Sequence, residues 1–384
     1  MTKRSVTWTQ ASARRLARQG LAAPAKSSPA RIAAAMLGAH AQVLSAAELS
    51  LALRLDGGAT RADVREALWS EGSLVKTYGP RGTVHLLPAA DLPLWTGALS
   101  AIPAGPSPQP ADVRMTAEQT DQVVAAIGDA LAGAELTIDE LTEAIVARTG
   151  SWAGDRVMDA FQDKWPRWRQ VMHRAAHRGV LRFAPNRGRK ATYTSPGITP
   201  MDGPAALAAL VDRYLRAYGP ATPQHFAKWL AAPRGWAADL FASLADGARI
   251  EEVVFEGSPA WVAAGDAGFP DELPQGVRLL PYFDAYAIAS QPRELLFPGA
   301  AYERALAGGQ AGNFPVVLVG GTVAGVWHQR RSGRRITVTV EPIGDALKTA
   351  ASRRELEQQA DRVGEILQGQ AELTVGRVTV GAHA

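Results

Sequence analysis

Residues 74 to 88 read "LVKTYGPRGTVHLLP", two runs of strand-forming residues on either side of Gly79-Pro80. Val, Thr, Tyr and Leu alternating around a Gly-Pro turn give the pattern of a β-hairpin. What precedes it decides the fold. Ser28 stands before Pro29 as an N-cap before a first-turn proline, and Gly38 is placed to end that helix. Ser45 with Glu48 reads as a capping box for "AAELSLALRL", and Thr60 caps "RADVREALWSEG". Three helices followed by a hairpin is the order of a winged helix.

The same order recurs twice without a strict sequence period. "ELTIDELTEAIVARTG" opens on Thr137 with Glu140 at the capping-box position. A later helix "WRQVMHRAAHRG" ends at Gly179, and "VLRFAPNRGRKATYTS" forms a hairpin with a basic tip. Then "PAALAALVDRYLRAYG", "TPQHFAKWLAA" and "WAADLFASLADG" lead into "IEEVVFEGSPAWVAA". The tail alternates apolar and polar residues in "RLLPYFDAYAIAS" and in residues 314–344, which predicts antiparallel strands with glycine turns, and "ASRRELEQQADRVGEILQG" follows as a helix. Proline- and glycine-rich linkers lie at 101–112, 194–206 and 265–276. The expected class is α+β: winged helices over 1–105, 106–200 and 201–266, then a C-terminal antiparallel β module over 267–384 with a basic hairpin.

At 384 residues the chain exceeds one ordinary core. The absence of cysteine removes disulfides, thiol chemistry and Cys-based zinc sites, and fits a reducing cytoplasm. No signal-peptide pattern or membrane-length apolar run is present, so a soluble cytoplasmic protein is expected. The net charge is +4, but the basic residues cluster: nine Lys or Arg and no acid from Lys164 to Ala191, and four Arg with no acid in "HQRRSGRR" from 328 to 335. Clustered cations with interleaved Trp and Phe point to a polyanion such as nucleic acid; two solvated basic faces are the alternative.

Residues 36–45, "MLGAHAQVLS", carry His40 and Gln42. With Gly38 ending one helix and Ser45 opening the next, 39–44 is an extended connector. Side chains two apart on such a segment project together, whereas on a helix they would be about 200° apart. The pair therefore reads either as a convergent site or as two groups bonding helix ends and backbone.

"GAHAQ" (38–42), "KTYGPRGTVHLLPAADLPLW" (76–95), "YLRAYGPATPQHFAKWL" (214–230), "LLPYFDAYAIA" (279–289) and "PVVLVGGTVAGVWHQRRSGRRITVTVEP" (315–342) resemble the AlkZ and YcaQ family of bacterial winged-helix DNA glycosylases in wording and order. The resemblance implies tandem winged helices around duplex DNA, and excision of bulky or cross-linking N-alkylated purines. It implies a catalytic signature of Gln-x-Gln or Gln-x-Asp; here the first position is His40 and the second Gln42. On that reading the reaction is hydrolytic, with His40 as water-activating base or water positioner and Gln42 as second water ligand. Activity would then fall below about pH 6, where an unperturbed imidazole protonates. No lysine adjoins the pair, so a lyase step is not indicated. Neither cofactor nor metal is expected, the partner is duplex DNA containing alkylated purines, and a monomer suffices. A non-catalytic tandem winged-helix DNA-binding protein is the alternative; it has no use for the pair.

The expected DNA contacts fall in three groups. Arg167, Arg169 and Arg178 lie in or before the second recognition helix, with Arg182, Arg187, Arg189 and Lys190 on its wing. Gln329, Arg330, Arg331, Arg334 and Arg335 lie on the basic hairpin, around a turn read at Ser332-Gly333. Arg81, Thr83 and His85 alternate, which places them on one face of a strand. Trp165 and Trp168 are expected in the core, His173 and His177 on a DNA-facing or plain surface, and Asp284 in an apolar strand with a structural hydrogen bond.

Overall fold

The structure is a computed structural model and describes residues 3–107, 109–160 and 163–382. Pro108, within the expected 101–112 linker, lies outside the described residues.

The first helices begin much as their caps predict. The Ser28 hydroxyl accepts from the Arg31 N–H at the start of Pro29–Ala35, and Thr60 and Asp63 close a reciprocal box at Arg61–Trp69. Ser45 does not cap. The helix Leu44–Ala52 starts two residues earlier, with Val43 at its N-cap and no side-chain bond there. The reason is that Glu48, the acid the box needed, is fully buried and ion-paired to Arg65 at 2.6 Å. Between these helices Gly38 sits at φ 92°, and a Cβ there would lie 2.6 Å from Leu87; only glycine fits that turn and that approach. It directs the chain into a two-residue strand, Ala39–His40, which joins Leu74–Tyr78 and Val84–Pro88 in a three-stranded sheet with Val84–Pro88 at the centre. His40 stands opposite His85 in that ladder.

The second module builds its sheet from Glu135–Thr137, Lys190–Thr194 and Arg182–Arg187, against the helices Ala117–Leu131 and Ile138–Thr149. The single helix expected from 168 to 179 is two pieces, a 3-10 turn Arg167–Val171 and a helix Met172–His177. Arg167 anchors the break by donating to the carbonyls of Asp112 and Val113. The two tryptophans divide: Trp168 is fully buried, while Trp165, in a small ribbon of Arg156–Asp159 with Lys164–Pro166, is 37 % exposed.

The helices Gly203–Tyr218, Pro223–Leu230 and Arg234–Asp246 precede the hairpin Ile250–Phe255 and Ser258–Ala263. Ser5–Val6 adds to its edge as a parallel strand, so the start of the chain packs on the third sheet. The last sheet runs Val277–Leu280, Val316–Val319, Thr322–Ser332, Arg335–Pro342 and Gln370–Val375 in sequence order. It is not wholly antiparallel: the final pair is parallel, with the helix Ala350–Ile366 as the crossover that such a connection requires. Nor is 279–289 one strand. It leaves the sheet after Leu280, and Asp284 caps a short helix, Ala285–Ala289.

The cores do not follow the linkers. Leu49, Leu86 and Ala41 share one apolar cluster with Leu279, Val338 and Val363 of the C-terminal module. Leu87 and Trp95 share another with Tyr214, Phe226 and Phe241. The His40 strand is therefore clamped between bodies supplied by distant sequence.

Candidate active site

His40 is 8 % exposed. Its ring stacks on Phe283 at 4.6 Å between centroids, nearly parallel, and meets His85 edge-on at 5.0 Å. Phe283 holds φ 57° and its N–H donates to the Gly312 carbonyl at 2.9 Å. The His85 ring is fixed from its other side. Its Nδ1 lies 2.9 Å from the Thr83 carbonyl, which places the proton on Nδ1. Gly79 packs so closely that a Cβ would come within 2.9 Å of the ring.

This enclosure sets the charge of the pair. Burial, and secondarily the Arg81 guanidinium, push His40 down to about 3; burial, with His40 and Arg81, holds His85 well below the usual imidazole range. His40 is neutral throughout the physiological range, so its titration gives no acid limb near pH 6, contrary to the sequence-based expectation. Gln42 is exposed. Its backbone N–H reaches the His40 Nδ1 at 3.5 Å, the outer limit of a hydrogen bond. A buried neutral imidazole is thus followed, two residues on, by an exposed glutamine whose backbone N–H reaches it.

Arg81, Thr83 and His85 do not share a strand face. Arg81 lies in a 3-10 turn, Pro80–Gly82, with φ 61°, and the strand starts only at Val84. Arg81 and Gly82, both left-handed, break the period-two alternation. Arg81 donates to the Trp229 carbonyl at 2.8 Å, and the Thr83 hydroxyl to Pro80 at 3.0 Å.

Two expectations for neighbouring residues also resolve. His173 and His177 are not on a plain surface: His177 Nε2 donates to the Gly79 carbonyl at 3.1 Å, and His173 packs over Gly82. Helix Met172–His177 thereby braces the turn that carries Arg81. Asp284 is fully buried and accepts a two-pronged ion pair from Arg54, at 2.8 and 2.9 Å, and the Ser50 hydroxyl at 2.6 Å. Its role is structural, but it fixes the residue after Phe283 and so the stack on His40. Sequence reading missed Phe283; the only sign was its place beside a lone acid in an apolar run.

The AlkZ-like DNA glycosylase family matches residues 33–366. The chain belongs to that family. It is 31 % identical over 346 residues to the interstrand DNA cross-link repair glycosylase of Streptomyces sahachiroi, covering 84 % of this chain and 88 % of that one. It superposes on the solved structure of the Streptomyces sahachiroi DNA glycosylase AlkZ with a TM-score of 0.81 at 28 % identity, over 97 % of this chain and 100 % of the other. This is therefore an enzyme of the class that hydrolyses N-glycosyl bonds in DNA.

The basic residues of the glycosylase are less free than their clustering suggested. On the second module Arg178 pairs with Asp121 at 2.7 Å, Lys190 with Asp139 at 2.7 Å, and Arg187 with Glu140. Arg169 lies over the Trp165 ring, its Cζ 4.0 Å from the centroid, and Arg182 donates to the Phe183 carbonyl. Arg189 is exposed with no partner among the described residues. On the C-terminal hairpin the tight turn is Gly333-Arg334, since Ser332 pairs with Arg335. Arg335 is taken by Glu372, and Arg331 by the carbonyls of Gly333 and Leu367. Gln329 Oε1 is buried without a partner among the described residues. Arg330 and Arg334 are exposed and unpaired among the described residues. Among the described residues no helix is long and apolar enough to cross a membrane.

Proposed function

We propose that this glycosylase hydrolyses the N-glycosidic bond of bulky or N7-alkylated purines in duplex DNA, with the attacking water held between His40 and Gln42. An N7-alkylated purine is cationic and leaves readily, so the sugar becomes oxocarbenium-like with little help at the base. What remains is to place water on the open face of C1′ and not to oppose the positive charge. The observation that carries the reading is the neutral, buried His40 ring, reached by the backbone N–H of the exposed Gln42, at the two positions of the family signature. A protonated imidazole would repel the developing cation; burial prevents it. So weakly basic a ring supports the positioning role over the base role.

The helices and hairpins at 1–105, 106–200 and 201–266 are read as winged helices facing the duplex, with the 267–384 module adding its hairpin; residues 3–18 cross to the third sheet. A cytoplasmic monomer needs nothing further. Because the Streptomyces sahachiroi relative is named for interstrand cross-link repair, we extend the substrate range to cross-linked N7 adducts. The test is single-turnover release of free base from a duplex with one N7-methylguanine, then a bulkier N7 adduct, then a cross-link. Wild type is compared with His40→Ala and Gln42→Ala. Release by wild type and loss in both variants is expected. Release unchanged in both variants would remove the water site from this pair.

A further inference from the structure

The charge that bears on the two histidines is of the wrong sign for the chemistry. Arg81 bears on both His40 and His85, yet the reaction develops positive charge on the sugar. The protein does little to cancel it. Arg81 is half-buried, donates a single hydrogen bond, to the Trp229 carbonyl at the end of the helix Pro223–Leu230, and has no carboxylate partner among the described residues. It is also held left-handed at φ 61°, a conformation non-glycine residues avoid. One more cation bears on it from another module. Arg293, buried and braced on the carbonyls of Ala287 and Ile288, feels the Arg81 charge and in turn bears on Lys228, which precedes Trp229 on the helix. Neither has an ion pair among the described residues, and Glu294 is the acid that acts on them.

We propose that Arg81 is a positioning residue that seats the phosphate beside the excised nucleotide, with Arg293 strengthening the field. This rests on the glycosylase reading above. A guanidinium has five N–H donors in a planar fork that matches two phosphate oxygens, and here one is bonded among the described residues. The incoming phosphate supplies the missing anion, so the guanidinium no longer opposes the oxocarbenium-like sugar. It also fixes the backbone, and hence C1′, relative to the water on His40 and Gln42. Arg81 then acts on the rate of the bound complex. Its share of affinity is small, because it is one phosphate contact among many.

The experiment is single-turnover excision at saturating protein, with Arg81→Gly and with a neutral methylphosphonate placed at each phosphate flanking the lesion in turn. Glycine suits the left-handed backbone, so the variant loses the charge while relieving the turn; its melting curve checks that it folds. The expected result is a rate loss of roughly 100-fold in Arg81→Gly, with a small change in Kd. One methylphosphonate position should slow wild type comparably and add nothing in the variant. Wild-type rates in Arg81→Gly, or methylphosphonate losses that multiply with the mutation at every position, would overturn the seat while leaving the glycosylase reading intact. Wild type that releases no base from any N7 adduct would instead remove the N7-purine reading, and the seat argued on it.

Discussion

Replacing His40 by Gln recreates the Gln-x-Gln signature and isolates what burying an imidazole costs. In the unfolded chain His40 titrates near 6.5 and in the folded protein near about 3. A lowered folded pKa means that below pH 6.5 the unfolded chain binds a proton the folded chain refuses. Stability attributable to this group is therefore full above pH 6.5 and falls as pH falls, until the folded pKa is reached. The slope is about 1.4 kcal/mol per pH unit. At pH 5 the penalty is roughly 2 kcal/mol. His85 and His177, also pushed down by burial, add to the wild-type slope and remain in the variant. Urea unfolding at pH 7.5, 6.5, 5.5 and 5 measures it: His40→Gln should gain about 2 kcal/mol on wild type between the highest and lowest pH. Excision should survive, because an amide also positions water. Parallel stability–pH curves for the two proteins would refute a buried neutral His40. So would a wild-type excision rate that titrates near pH 6 in wild type and not in the variant.

Gln42→Ala should lower single-turnover excision by roughly 100-fold with little change in duplex affinity, read by quench and by anisotropy; an equal loss in both would make Gln42 a DNA contact. Asp284→Asn leaves Arg54 buried without its counter-charge and should cost about 3–5 kcal/mol in urea unfolding; a loss below about 1 kcal/mol would mean the pair is not desolvated as described. Removing both free cations of the hairpin tip, Arg330→Ala with Arg334→Ala, should reduce the slope of log K against log salt by about 2. Arg335→Ala should do less, since Glu372 already holds it, and equal slopes for the two variants would refute that distinction.

Local signals in the sequence were legible where the local partner had no competitor. Ser28, Thr60 and Thr137 cap helices because the hydroxyl and the N–H it accepts from are a few residues apart. Ser45 failed by the same logic: Glu48 was claimed by Arg65, a partner no capping pattern contains. The hairpins and their order came from periodicity, which also misled at Arg81, where consecutive left-handed residues reset the phase before Val84. Charge clustering was visible, but not its neutralisation, because the acids that hold Arg187 and Arg335 lie 47 and 37 positions away.

The sequence by itself determined the family, the succession of helices and hairpins, and the neighbours His40 and Gln42. Only the tertiary structure decided their state. Phe283 and Arg81 arrive at His40 from segments that share no local pattern with it, and the clusters that close over it mix residues of the first and last modules. Burial is a property of what packs from elsewhere in the chain, and burial makes this imidazole neutral.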